Sequence, residues 1–379
     1  MNETEFKANI SDVVYLCSCA VNNTAPDQLR LESINYGLLF EVSSNHQLSS
    51  IVGQTLQSVD ASDPLFDKAV AAAQRNDILF DNELKIVISK LEAECIWYMP
   101  LKGTVLKDLY PRFAMREMCD VDLLFDSSRA DDVKGIMESL GFKTVSFGDI
   151  NDDDYRKPPV LNFEMHRMLF CNRHDKRLYD YYLDVKKKLI IDTDSNYGFH
   201  FSPEDFYIFM IAHEFKHYST GGTGLRSLLD TYVYLNSNQL DMDYVEAEIS
   251  KLRISEFEKQ NRVLAIKVFK SESLNDEEQK MFDYIASSGA YGILSHKVVN
   301  EIEREGKGRL HYILYRVFGP ISKDDPKREH FRKRYYKFYK YPVLLPFLPI
   351  YRLIKSIKRN PKKVSSEVKV LKDYKSSDK

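Results

Sequence analysis

Asp120 and Asp122 stand one residue apart and run into an apolar stretch, Leu123-Leu124-Phe125. Successive side chains on a strand point to opposite faces, so a strand over 121–125 puts both acids on one face, about 7 Å apart along it. Carboxylate oxygens placed that way can share divalent cations. Upstream, Gly103-Thr104 follows a buried, β-rich run over 95–101 and could bring backbone N–H groups to a phosphate. Metal-holding acids beside a phosphate cradle point to phosphoryl or nucleotidyl transfer. In-line transfer of this kind uses two metals roughly 3.5–4 Å apart, which calls for a third acid from a neighbouring strand. Glu164 is the best candidate, because it lies between Phe163 and Met165 in an apolar run where an acid is costly unless paired or metal-bound. On this reading Asp120 and Asp122 bridge the metals, and Glu164 binds one of them or acts as the base. Lys102 and Arg116 are cations that would offset a triphosphate, the arginine in a two-pronged manner. Lys107 does the same or pairs at the surface with Glu117 or Asp108.

The Asp-x-Asp pair alone decides little, since Asp192-Thr-Asp194 and Asp241-Met-Asp243 repeat the pattern in polar, loop-like settings. What distinguishes Asp120 and Asp122 is the surrounding elements. Apolar residues at helical spacing predict two helices over 66–94. A strand over 95–101, a short helix ending near Tyr110-Pro111, the 121–125 strand and a helix over 129–140 capped by Ser128 and closed by Gly141 come next. A strand at 142–147, an acidic loop over 148–159 and a fourth strand at 160–170 complete an α/β core. Helical patterns then recur at 206–217, 225–235, 244–271, 276–286 and 296–317. The chain is thus expected to divide into an N-terminal helical segment (1–94), an α/β core (95–200), a helical domain (201–320) and a basic aromatic tail (321–379).

With 44% hydrophobic and 29% charged residues, a disordered chain is excluded. Five scattered cysteines without a Cys-x-x-Cys pair suggest reduced thiols. The polar N-terminus lacks an apolar signal region, and no apolar run approaches the ~18–20 residues of a membrane span. A cytoplasmic protein is the expectation.

Leu101-Lys102-Gly103-Thr104, Tyr110-Pro111, Arg116 and Asp120-Val121-Asp122-Leu123-Leu124 together resemble the signature of a bacterial uncharacterised nucleotidyltransferase family. That family belongs to the DNA polymerase beta-like superfamily, whose general pattern is a Gly-Gly/Ser turn followed by Asp-x-Asp. Phe163-Glu164-Met165-His166 resembles the family's third-acid strand, and Gly224-Leu225-Arg226 with Asp230 its helical segment, so the resemblance covers 65–240. It implies an α/β (α+β) nucleotidyltransferase core with a small mixed sheet, flanked by N-terminal helices and a larger C-terminal helical region. It also implies Mg2+-dependent transfer, with Mn2+ as a substitute, of an NMP from an NTP such as ATP to an acceptor, releasing pyrophosphate. Gly103 and Thr104 would then hold the β- and γ-phosphates. Thr104 stands where the superfamily most often has Ser or Gly. The interval from Gly103 to Asp120 exceeds the superfamily's usual spacing, although its Tyr-Pro and Arg elements suit this family. The acceptor, whether protein, RNA or small molecule, does not follow from the resemblance.

His213-Glu214-Phe215-Lys216-His217 matches the zinc-protease pattern, which makes a zinc hydrolase the competing class. Lys216 sets a cation inside that motif, and no third ligand follows at a familiar spacing. A helix face packed on the sheet, with partnered histidines, accounts for it better. An inactive nucleotidyltransferase-fold scaffold is the other alternative. His166, two residues beyond Glu164, could orient that acid or touch a phosphate. The tail interleaves Lys327, Arg328, Arg332, Lys333, Arg334, Lys337 and Lys340 with aromatic residues and leads into a mostly apolar run. Residues 327–358 suit nucleic-acid contact or a membrane surface. The last residues, 364–379, are expected to fray.

Overall fold

The computed structural model describes residues 3–148, 151–172, 175–290, 292–305, 308–320, 325 and 328–374. The chain opens with α1 (Glu3–Val21), α2 (Gln28–Glu32), α3 (Tyr36–Asn45) and α4 (Ser49–Gln57). Then α5 (Pro64–Ala93) runs as one helix of 30 residues where the sequence suggests two. Asp63 caps it by accepting from the Leu65 N–H at 2.9 Å, and Pro64 occupies the first turn, where its missing N–H costs nothing. No Gly or Pro interrupts residues 65–93. Polar residues in the middle of the helix have partners: Asp77 and Asp81 both accept from Lys107 Nζ at 2.6 Å. Lys107 is therefore buried against α5, not paired at the surface with Glu117 or Asp108.

The α/β core comprises β1 (Tyr98–Pro100), α6 (Gly103–Leu106), β2 (Val121–Phe125), α7 (Ala130–Ser139), β3 (Lys143–Ser146), β4 (Asp152–Lys157), β5 (Leu161–His166) and α8 (Lys176–Tyr182), followed by the hairpin β6 (Leu189–Ile191) and β7 (Phe199–Phe201). The main sheet has the order β1-β2-β5-β4-β3, with β2 and β5 parallel and the other pairs antiparallel, which is the small mixed sheet implied by the resemblance. β4 corrects the sequence reading of an acidic loop there; Asp149 and Ile150 of that segment lie outside the described residues. Three consecutive aspartates, 152–154, disguise the strand, yet tertiary partners satisfy them. Asp153 takes two bonds from Arg167, at 2.9 and 3.1 Å, and Asp154 accepts from Ser146 Oγ at 2.9 Å.

Strand alternation sorts this sheet into two unlike faces. Val121, Leu123 and Phe125 of β2, Phe163 and Met165 of β5 and Tyr155 of β4 pack with Phe80, Leu84, Val87 and Leu91 of α5 and Val133 and Met137 of α7. Burying each of these side chains contributes about 1.5–3 kcal/mol. The intervening residues, Asp122, Glu164, His166, Asp152 and Asp154, are thereby committed to the opposite face.

Beyond the core come α9 (Pro203–Tyr218), α10 (Leu225–Ser237), α11 (Met242–Leu252), α12 (Ser255–Phe269) and α13 (Asp276–Ser288). The N-terminal helices, the α/β core and these helices fall in one compact unit, Met1–Phe215 with Gly224–Ala290. A second unit, Lys216–Thr223 with Tyr291–Lys379, contains α14 (Leu294–Glu305), α15 (Gly308–Phe318), α16 (Arg328–Arg334), α17 (Tyr336–Lys340), α18 (Leu348–Arg359) and α19 (Pro361–Asp373). Lys327 and residues 375–379 lie outside the described residues. The expected fraying from residue 364 does not occur through Asp373. Glu367 of α19 is buried, taking bonds from Arg316 at 2.6 and 2.9 Å and from the Tyr312 hydroxyl at 2.6 Å. Among the described residues no helix is long and apolar enough to cross a membrane.

Candidate active site

The parallel pairing of β2 with β5 sets Asp122 directly opposite Glu164, and the antiparallel pairing of β5 with β4 sets Glu164 opposite Asp154 and His166 opposite Asp152. Ligand-type atoms of Asp122, Glu164 and His166 lie within 4.8 Å of one another, as do those of Asp152, Asp154 and Glu164. Glu164 therefore joins two acidic groups. His166 Nε2 sits 2.6 Å from Asp122 Oδ1 and 3.9 Å from Glu164 Oε2. Its other ring nitrogen, Nδ1, is buried with no hydrogen-bond partner among the described residues. Asp120 lies just before β2 and reaches this group through its field, not through the same close cluster.

The charges are unevenly compensated. Burial pushes Asp122 up, but Lys102 and His166 outweigh it and hold the carboxyl well below the usual carboxylate range. Lys102 Nζ is 2.9 Å from Asp122 Oδ1. Glu164 has no comparable cation; burial, then Asp122 and Asp120, push it up to about 8. Burial and the neighbouring Asp122 also raise Asp120. Carboxylates crowded to this extent lack positive charge, and a divalent cation on this face would supply it. Carboxylates suit Mg2+ and Mn2+, and imidazole suits transition metals, so the donor set fits Mn2+ as well as Mg2+.

A bent segment delivers Lys102 and the turn. Lys102 has φ +45°, a conformation that costs a residue with a Cβ about 1–3 kcal/mol and is found where function holds it in place. Gly103, which follows, leaves little room for a side chain: a Cβ there would lie 2.5 Å from Arg116 Nη1 and 3.0 Å from Met118 Sδ, so one of those side chains would have to shift. Thr104 Oγ1 is buried without a hydrogen-bond partner among the described residues. The guanidinium of Arg116 is largely occupied, with Nε donating to Asp230 Oδ1 at 2.8 Å and Nη2 to Asp230 Oδ2 at 3.0 Å. The Tyr110 hydroxyl donates to the same Asp230 Oδ1 at 2.7 Å.

Residues 107–120, the long interval noted in the sequence, are pinned by two helical layers. Ser50 of α4 donates its hydroxyl to Ala114 O at 2.7 Å and its N–H to Glu117 Oε1 at 2.9 Å, and Gln54 donates to Phe113 O at 3.0 Å. On the other side α10 supplies Asp230. Sequence reasoning named Asp230 only as part of the family's helical segment and missed Ser50 and Gln54, and it missed Asp152 and Asp154. Three acids in a row show no apolar alternation, so no local signal marked the last two; in the structure Asp153 and Tyr155 share the buried face.

The His213-Glu214-x-x-His217 motif lies elsewhere. Glu214 turns into the helical core, where Oε2 accepts from Thr231 Oγ1 at 3.2 Å and Asn261 Nδ2 at 3.0 Å, while Oε1 is buried with no partner among the described residues. Neither histidine joins a group able to hold a metal among the described residues. The motif is helix packing. Burial pushes Glu214 up to about 8, so the folded state keeps a proton that the unfolded chain releases near pH 4.5. That contribution is present below about pH 4.5 and is lost as pH rises through about 8, weakening the fold by on the order of 3–5 kcal/mol. Glu214→Gln should remove this limb, so urea unfolding between pH 6 and 9 would show a flatter profile than the parent. Parallel profiles would mean that the carboxyl is ionised in the folded protein. The other Asp-x-Asp pairs are equally ordinary: Asp241, for example, caps α11 through the Tyr244 N–H.

A family profile described as uncharacterised nucleotidyltransferase matches residues 32–270, from the end of α2 to just past α12, and so includes both helical layers that pin the loop. Among solved structures the chain is similar to an antigenic nucleotidyltransferase-like protein from Paracoccidioides brasiliensis, at 15% identity and a TM-score of 0.32, over 52% of this chain and 95% of that one. No curated protein matches. With well over half of its length inside the profile, the chain belongs to the uncharacterised nucleotidyltransferase family.

Proposed function

We propose that the chain is a metal-dependent nucleotidyltransferase that moves an NMP from an NTP to an acceptor hydroxyl and releases pyrophosphate. The observation that carries this reading is the β2–β5 register, which sets Asp122 beside Glu164 and His166 on a sheet face that the hydrophobic core does not use. Asp120, Asp122, Glu164 and His166 would hold Mg2+ or Mn2+. When bound, such an ion supplies Lewis-acid charge at the phosphate oxygens.

The chain's own residues account for the rest. The acceptor oxygen attacks the α-phosphorus, the bond from that phosphorus to the bridging oxygen breaks, and pyrophosphate leaves with the electron pair. Glu164, the acid of this face that Lys102 does not pair with, either helps hold the ion or takes the hydroxyl proton. Lys102 neutralises Asp122 and is the nearest cation to offer a triphosphate. Gly103 and Thr104 receive the β- and γ-phosphates, and the unpartnered Thr104 hydroxyl is a ready donor. Arg116 keeps that turn in place.

The test is incubation of the purified chain with each NTP labelled on its α-phosphate, with Mg2+ or Mn2+ and a cell extract as acceptor pool. Metal-dependent label transfer with matching pyrophosphate release is expected. No transfer from any NTP with either metal would favour the inactive scaffold.

A further inference from the structure

α18 is turned the wrong way for a helix of a soluble unit. Ile350, Leu353, Ile354 and Ile357 follow the i, i+3, i+4, i+7 spacing of an apolar stripe, which an ordinary surface helix turns toward its core. Here they are 58%, 52%, 49% and 45% exposed. The opposite side faces the protein. Leu348 is buried there, and Arg352 donates Nη1 to Val317 O at 2.7 Å with its guanidinium 4.6 Å from the Phe331 ring centroid. Just before the helix, Val343 and Phe347 are exposed too.

What surrounds the stripe is positive. Between residues 328 and 363 twelve Lys and Arg stand against one acid, Glu329. Lys358 flanks the stripe on α18 itself, and Lys337 and Lys340 precede it on α17. An aliphatic stripe bordered by cations matches one kind of surface, in which acyl chains lie beneath anionic headgroups. A second copy would press two like-charged rims together across the shared face. Nucleic acid would meet the cations but leaves an aliphatic centre without a role, since bases stack on aromatic rings.

We propose that α18, with the segment leading into it, docks lengthwise on an anionic lipid surface, burying Ile350, Leu353, Ile354 and Ile357 among the acyl chains and setting Lys358 and the cations that precede the helix against the headgroups. No span is involved, and the proposal is independent of the transfer reaction.

The test is flotation of the full chain with phosphatidylcholine vesicles, with and without phosphatidylserine. Binding is expected only to the anionic vesicles, weakening as salt is raised. Ile350→Glu/Ile354→Glu/Ile357→Glu should lower partitioning by about a hundredfold or more, and Lys340→Ala/Lys358→Ala by about tenfold or more, both with unchanged melting because the positions are exposed. Four results would overturn the proposal: no vesicle binding, equal partitioning of parent and apolar variant, a dimer in light scattering that the apolar variant dissolves, or oligonucleotide binding that the same variant abolishes.

Discussion

Asp122→Asn is expected to lower NMP transfer by about a thousandfold or more while leaving a folded protein. The size follows from its proposed role: a ligand to an ion that stabilises phosphoryl charge would be worth several kcal/mol of barrier, and each 1.36 kcal/mol is about tenfold. An amide keeps the volume and can still accept from Lys102, but it removes the carboxylate that Lys102 and His166 hold ionised. The stability cost should be small, about 1–3 kcal/mol, because Lys102 also feels Glu164 and Asp120. Pyrophosphate release at saturating Mn2+, with a urea melt on the same sample, separates the two effects. Activity within tenfold of the parent would mean that the reacting phosphate does not meet this face of the sheet.

That face was legible in the sequence only where apolar residues announced it. β2 and β5 are acids set in hydrophobic runs, so Asp122 and Glu164 stood out as charges in a costly place. β4 was illegible because its identity as a strand depends on partners that sequence does not display: Arg167 for Asp153, Ser146 for Asp154 and the pairing with β5 for all three aspartates. The same reason hides the support for the loop. Ser50 and Gln54 are small polar residues on a helix, indistinguishable from solvated ones until Ala114 and Phe113 are placed against them. Lys107 and α5 were misread together, since the lysine's partners, Asp77 and Asp81, lie on the middle of the one helix that the sequence suggested as two. Local pattern found the acid-bearing strands β2 and β5; long-range ion pairs and hydrogen bonds hold the elements around them.

One of those pairs, Arg116 with Asp230, yields the second large effect. Arg116→Ala should destabilise the fold by about 3–5 kcal/mol, because it strands the buried Asp230 carboxylate together with the Tyr110 hydroxyl that points at it. Removing both charges is a different experiment. Arg116→Met with Asp230→Leu replaces a desolvated ion pair by packing, which is often neutral or better, so at least half of the lost stability should return. Transfer activity then distinguishes two tasks for Arg116. Two of its nitrogens are held by Asp230 and the third, Nη1, lies against the position where a Gly103 Cβ would project. A guanidinium so disposed fixes the Gly103–Thr104 turn from behind, so activity should return along with stability, and KM for the NTP should move more than kcat in the single variant. If the restored fold stays more than tenfold slower at saturating NTP, the charge itself acts on the phosphates. Gly103→Ala bears on the same joint from the other side: its new methyl must displace Arg116 or Met118, at a cost of about 1–3 kcal/mol, and it should raise KM in the same direction.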